Sequence, residues 1–148
     1  METSYRSNYC AQYNEKNQGE TVSLSGWASS VRDHGGVIFV YLRDKTGLIQ
    51  IVYDPNNSEK FHKIAEDIRN EYVIRILGKI RLRSDDTINK ALPTGKIEVY
   101  VDTLEVIGSS DDIPLPVFGE PDYPEEIRLK YRFLDLRRET LHKNIILR

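Results

Sequence analysis

Three side chains that can bind a nucleic acid lie within one apolar stretch of the sequence, residues 31 to 54, VRDHGGVIFVYLRDKTGLIQIVYD. They are Arg32, Phe39 and Gln50. An exposed aromatic ring can stack on a base, a carboxamide can both donate to and accept from a base edge, and a guanidinium can bind a phosphate or a base. Stacking alone contributes about 1–3 kcal/mol per base. These residue types therefore predict a binding surface for single-stranded RNA.

The alternation of apolar residues predicts which way two of these side chains point. In residues 37 to 44 and 48 to 54 the inward positions are taken by Ile38, Val40, Leu42, Ile49, Ile51 and Tyr53. Since successive strand residues face opposite sides of a sheet, Phe39 and Gln50 then share the outer face. Each residue also has a simpler interpretation: Phe39 packed under a loop, Gln50 as an ordinary solvent-facing residue, Arg32 in a turn.

Two weaker sets of candidates lie further along the chain. Lys79, Arg81 and Arg83 alternate along one strand, a spacing that suits either a phosphate backbone or a charged edge strand that resists aggregation. Glu98 lies on the last predicted strand, beside Tyr100.

The elements that must position these residues follow the order of an OB-fold. Alternation predicts strands over 21–31, 37–44, 48–54, 72–83 and 96–107, with Leu82 facing inward. An apolar stripe predicts one short helix after an N-cap at Asn57 or Ser58; its members are Phe61, Ile64, Ala65 and Ile68. We expect an all-β, five-stranded OB-fold Greek-key barrel with one short helix, plus a C-terminal linker and helical extension.

Composition sets the remaining bounds. The chain has 148 residues, 39% of them hydrophobic, which is enough for one core, and a net charge of −2 that points to no general affinity for nucleic acid. Cys10 is the single cysteine, and the N-terminus lacks the apolar stretch of a signal or membrane span, so we expect a cytoplasmic chain with no membrane contact. The dispersed histidines predict no metal site, and no catalytic or cofactor-binding motif is present.

Several segments resemble one enzyme family. Residues 25–55 (SGWASSVRDHGGVIFVYLRDKTGLIQIVYDP), RNEYVIRILGKIRLR, TGKIEV and above all EEIRLKYRFLDLRR are similar to the N-terminal part of bacterial-type aspartyl-tRNA synthetases. The resemblance covers essentially the whole chain. The OB pattern alone is shared with asparaginyl and lysyl enzymes. The resemblance implies an anticodon-binding OB domain over 1–108, a hinge over 109–135, and the start of a class II catalytic domain helix over 136–148.

The resemblance also implies roles for individual residues. In the family, the aromatic that matches Phe39 stacks on the middle anticodon uracil and the amide that matches Gln50 reads that base. The arginine that matches Arg32 contacts the anticodon, and the acid that matches Glu98 reads a neighbouring base. His34 and the loop from 84 to 94 are candidates for controlling the choice between aspartate and asparagine tRNA.

For the longer enzyme, the resemblance implies that aspartate is joined to tRNA through an aspartyl-adenylate. That reaction uses ATP and Mg²⁺, in a homodimer held by a catalytic part beyond Arg148. This chain departs from the family pattern at three places. It has Ser30 and Val31 where further arginines are common, Tyr41 in place of an aspartate, and no proline after Arg138. Each lost phosphate contact lowers the salt slope of binding by about 0.7–0.9.

Two other interpretations remain open from the residues alone. A stand-alone OB module would bind unrelated single strands equally well. A protein-interaction module would use exposed Phe39 and Tyr41 against a partner surface.

Overall fold

The computed structural model describes residues 3–57, 59–119 and 122–148. The chain forms two compact units, Met1–Ser110 and Asp111–Arg148, and each has its own group of buried apolar side chains.

The first unit is a closed five-stranded barrel, which confirms the predicted OB-fold. Its strands are β1 (Thr21–His34), β2 (Val37–Asp44), β3 (Gly47–Tyr53), β4 (Val73–Leu82) and β5 (Ile97–Gly108). They close in the order β1-β2-β3-β5-β4. All neighbouring pairs are antiparallel except β3 and β5, which run parallel over three residue pairs, Gln50↔Glu98, Ile51↔Val99 and Val52↔Tyr100.

The barrel interior is filled by the predicted inward residues. Ala28, Leu42, Ile49, Ile74 and Val99 have no measurable exposure. Burying a side chain of Leu or Ile size contributes about 1.5–3 kcal/mol to the stability of the fold. A one-residue slip would expose these inward side chains, so their burial fixes the register of each strand. Leu82 is an exception, because it is exposed at the end of β4 and does not face inward as predicted.

The first hairpin is longer than the sequence indicated. β1 runs to His34 and pairs with β2 as far as Val37, so Arg32 lies within a strand and not in a turn. The turn is made by Gly35 and Gly36, whose φ angles of 64° and 92° suit glycine. A strand position fixes the direction of the Arg32 side chain far better than a loop would.

The helix between β3 and β4 is shorter than predicted. A 3₁₀ turn, Glu59–Phe61, leads into α1 (His62–Glu66), and the predicted cap Ser58 lies outside the described residues. The N-cap position of α1 is Phe61 and not Asn57, whose amide donates to Asp102. Ala65 and Ile68 are buried as expected, whereas Ile64 is exposed.

An N-terminal segment closes one end of the barrel beside the β2–β3 hairpin. Two 3₁₀ turns form it, Cys10–Gln12 and Glu15–Asn17. The carboxylate of Asp44 accepts from the backbone N–H groups of Cys10 and Thr46, both at 2.7 Å. Burial raises the pKa of the Asp44 carboxyl, but these hydrogen bonds and one from the Thr46 hydroxyl outweigh burial and hold the pKa below its usual value.

The second unit contains α2 (Glu125–Lys130), α3 (Arg132–Asp135) and α4 (Glu139–Leu147). Its buried apolar residues are Leu115, Val117 and Leu134. Asp135 is fully buried and accepts from Arg138 at 3.0 Å. The hinge assigned to 109–135 includes α2 and α3, and the division at 109–135 and 136–148 stays a prediction. None of the described helices has the length and apolar character needed to cross a membrane.

Candidate nucleic-acid interface

An open depression of about 350 Å³ lies on the outer face of the barrel, where β1, β2, β3 and β5 come together. Its lining residues are Arg32, His34, Phe39, Gln50, Val52, Arg83, Ser84, Thr87, Glu98 and Tyr100. Six residues proposed from the sequence are therefore brought to one place: Arg32, His34, Phe39, Gln50, Arg83 and Glu98.

The aromatic side of the depression is formed by the first hairpin. Phe39 pairs with Arg32 across β1 and β2, and its side chain is half-buried. The His34 ring packs edge-on against Phe39, with 5.8 Å between ring centroids and 74° between planes. The edge contact restrains the Phe39 ring, and a restrained ring loses less entropy when a flat ligand stacks on it.

Gln50 forms the floor of the depression, and two neighbours fix the orientation of its amide. Arg32 Nη2 donates to Gln50 Oε1 at 3.4 Å, and Gln50 Nε2 donates to Glu98 Oε2 at 2.9 Å. Because a guanidinium can only donate and a carboxylate only accepts, the amide has a single compatible orientation. Gln50 is 4% exposed although it is on the outer face, since these two side chains flank it.

A loop after β4 walls the other side with Arg83, Ser84 and Thr87. The Asn89 amide donates to the Tyr41 hydroxyl at 3.2 Å, and Thr94 donates to the Leu48 carbonyl at 2.5 Å. These two hydrogen bonds attach the loop to β2 and β3.

Gly95 is required for the loop to close. A Cβ at Gly95 would lie 1.7 Å from the Asn89 carbonyl oxygen, far inside van der Waals contact, so a larger residue does not fit unless the backbone shifts.

Tyr41 lies between two cations at the edge of the depression. Its ring is 5.5 Å from the Arg32 guanidinium. Burial raises the pKa of the Tyr41 hydroxyl, but hydrogen bonds with Asn89 and Arg83 outweigh burial and hold the pKa below its usual value. Tyr41 thus contacts the loop through Asn89 and interacts with both Arg32 and Arg83.

The basic stripe proposed on β4 is divided by the structure. Arg83 lies beyond the end of β4 and lines the depression. The Arg81 guanidinium stacks on Tyr100, 3.6 Å from the ring centroid, and so supports the wall from outside. Lys79 is exposed on β4 and is not among the lining residues.

Of the lining residues, only Val52 was in no candidate set from the sequence. Ser84 and Thr87 were included only as part of the loop from 84 to 94, because that loop reaches the face through contacts across β2 and β3 for which periodicity carries no signal. Tyr100 was a weaker candidate, named beside Glu98 because the two share a parity on β5.

An aromatic platform, an amide of fixed orientation, two guanidiniums and one carboxylate on the outer face of a small barrel can bind bases and phosphates. In the described part of the chain, no three His, Cys, Asp or Glu residues are grouped to hold a metal ion. The fold and site together define a nucleic-acid-binding barrel.

The comparison with family models agrees with this geometry. The model for the tRNA anti-codon family, described as an OB-fold nucleic acid binding domain, matches residues 22–107. The chain belongs to this family.

Individual relatives are also similar. The "Aspartate--tRNA(Asp/Asn) ligase" of Agrobacterium fabrum is 58% identical over 97% of this chain, and that of Sinorhizobium fredii 57%. The chain spans 24% of the length of either relative.

Solved structures show the same fold. Asparaginyl-tRNA synthetase from Pyrococcus horikoshii is 30% identical over 88% of this chain and 29% of its own, with a TM-score of 0.72. An aspartyl-tRNA synthetase from Entamoeba histolytica superimposes with a TM-score of 0.75 at 17% identity, over 90% of this chain and 33% of that one. At this identity the similarity shows the fold alone.

Proposed function

We propose that the barrel is the anticodon-binding domain of an aspartate–tRNA ligase and that the outer depression receives anticodon bases. The observation that carries the proposal is the convergence of Phe39, Gln50, Arg32 and Glu98 on one side of the sheet. The 58% identity to a relative whose name is "Aspartate--tRNA(Asp/Asn) ligase" supports tRNA as the substrate class.

The fixed amide can read the edge of a base. With Oε1 accepting from Arg32 and Nε2 donating to Glu98, Gln50 retains one N–H and one lone pair for a ligand. A base edge with an adjacent acceptor and donor, such as O4 and N3–H of uracil, complements that pair. In this proposal Phe39 stacks on the uracil, Gln50 reads it, and Glu98 and Arg32 serve a neighbouring base.

The outer residues of the depression have separate roles in the proposal. Arg83 binds the base or phosphate that lies against the loop, and His34 contributes to the choice between aspartate and asparagine tRNA. Arg81 and Lys79 lie outside the depression and supply positive charge for the RNA backbone. The names of the relatives favour a ligase that accepts both tRNAs.

The whole enzyme is proposed to act in the cytoplasm as a homodimer and to attach aspartate to tRNA through an aspartyl-adenylate. ATP and Mg²⁺ supply the activation chemistry when bound to the catalytic part. No residue of this chain is assigned to either of them, so the contribution of these residues is to select and hold the tRNA.

A titration of the 148-residue chain with labelled anticodon stem-loops tests the proposal. We expect tighter binding to the aspartate stem-loop than to one with a changed middle base, and a loss of about 1–3 kcal/mol in Phe39→Ala, the stacking energy of one base. Tyr5→Ala, an exposed aromatic that does not line the depression, is the matched control. Equal affinity for unrelated single strands would favour the stand-alone OB module instead.

A further inference from the structure

A second aromatic and cationic surface lies on the barrel, away from the depression. Arg6, Tyr9, Trp27 and Lys45 line it, and we refer to these four residues as the Trp27 surface. Trp27 is 37% exposed. Arg6 and Lys45 each approach the Tyr9 ring, at 4.6 and 4.5 Å from its centroid. Such a surface combines stacking area with positive charge, as single-strand binding sites do.

The fold holds this surface in place. Asp44 lines it too, but its carboxylate oxygens accept from the backbone of Cys10 and from Thr46, so its hydrogen-bonding capacity is directed into the hairpin. These bonds fix the N-terminal segment, and with it Tyr9, next to Lys45.

Arg6 and Lys45 supply two positive charges to the surface, against the single negative charge of Asp44. The neighbouring Arg43 is paired with Glu71 at 2.8 Å, which leaves Arg6 and Lys45 to attract an anion. Nε of Arg6 is buried and has no hydrogen-bond partner among the described residues.

The two sites lie on the same two strands. Arg32 pairs with Phe39 at the depression, and Trp27 pairs with Arg43 at the second surface. Four residues of β2 separate the two positions, which is about 14 Å at a rise of about 3.4 Å per residue. Stacked nucleotides advance by about 3.4 Å each, so the separation corresponds to about four nucleotides.

We propose that the Trp27 surface binds the sugar-phosphate backbone of the same RNA whose base enters the depression, about four nucleotides further along the strand. The proposal rests on the proposed function, because it takes the RNA in the depression as given. With the middle anticodon base in the depression, a nucleotide four positions along the strand lies in the stem, so the stem-loop places a nucleotide at both sites and the isolated loop does not.

Trp27 itself provides the measurement, because it is the single tryptophan of the chain. RNA binding is followed by anisotropy of a labelled RNA, and access to Trp27 by acrylamide quenching of its fluorescence. The probes are the anticodon loop as a single strand and the complete anticodon stem-loop. Lys45→Ala is compared with Lys63→Ala, which removes the same charge from exposed α1.

We expect both RNAs to bind and the stem-loop alone to protect Trp27. Lys45→Ala weakens stem-loop binding several-fold and lowers its salt slope by about one, as loss of a phosphate contact does, and leaves loop binding unchanged. Lys63→Ala changes neither. Stem-loop binding with Trp27 still open to acrylamide, or equal protection by both RNAs, overturns this inference alone. Failure of both RNAs to bind overturns the proposed function as well.

Discussion

Replacing Gln50 by glutamate tests the orientation of the amide at the floor of the depression. In Gln50→Glu a carboxylate would face Glu98 across the 2.9 Å that now holds a hydrogen bond. At an effective dielectric constant of 20, two unit charges at that distance repel by about 6 kcal/mol. Attraction to Arg32 at 3.4 Å returns less than about 5 kcal/mol, because Arg32 is exposed and its charge is screened.

The lost hydrogen bond adds to the repulsion. A hydrogen bond to a charged group contributes about 1.5–3 kcal/mol, so we expect Gln50→Glu to lower the free energy of unfolding by about 3 kcal/mol at pH 8. A penalty of about 3 kcal/mol corresponds to about two pKa units. Repulsion from Glu98 raises the pKa of the carboxyl added at position 50 above its ordinary value, so in acid this added carboxyl is protonated and donates to Glu98.

Urea unfolding at pH 8 and pH 5 provides the assay. The penalty of Gln50→Glu is expected to shrink to about 1 kcal/mol at pH 5, whereas Gln50→Met, which lacks both the charge and the hydrogen bonds, costs the same at both pH values. If the two variants show the same pH dependence, then the Gln50 amide does not face Glu98 in solution and the reasoning on base choice is wrong.

Three further substitutions test the supports of the site by urea unfolding. Asp44→Asn removes a carboxylate of lowered pKa, so the wild type is expected to be more stable than the variant by about 1–3 kcal/mol at pH 7. This difference in stability disappears as the pH falls through the lowered pKa of Asp44. A difference that persists in acid contradicts the prediction. Gly95→Ala lowers the free energy of unfolding by about 3 kcal/mol, because the added Cβ meets the Asn89 carbonyl. A variant as stable as the wild type would contradict the described conformation of the loop. Tyr41→Phe loses the hydrogen bond from Asn89 and about 1 kcal/mol, and an unchanged midpoint would show that this bond contributes nothing.

The sequence predicted most of the barrel because its signal is local. Alternation in β2 and β3 is sufficient to separate Ile38 and Ile49 from Phe39 and Gln50, since each choice depends on neighbours one or two residues away. The helix was overestimated because the apolar stripe begins at Phe61, in the 3₁₀ turn, and continues to Ile68, past the end of α1 at Glu66.

The architecture of the site depended on contacts that are distant in sequence. Gln50 and Glu98 are 48 positions apart and meet only because β3 and β5 pair when the barrel closes. Arg83 follows β4 into a loop whose position is set by Tyr41 and Asn89, so its place beside the base platform does not follow from a stripe of alternating charges.

The short parallel pairing of β3 and β5 makes the ligand site a seam of the barrel. The three residue pairs that close the cylinder carry Gln50, Glu98 and Tyr100, so opening the seam dismantles the floor of the depression. A ligand that binds both strands therefore adds RT ln(1 + [L]/Kd) to the free energy of separating β3 from β5. As RNA is added, we therefore expect hydrogen exchange of the backbone amides along this seam to slow at a lower RNA concentration than exchange in any other strand pair.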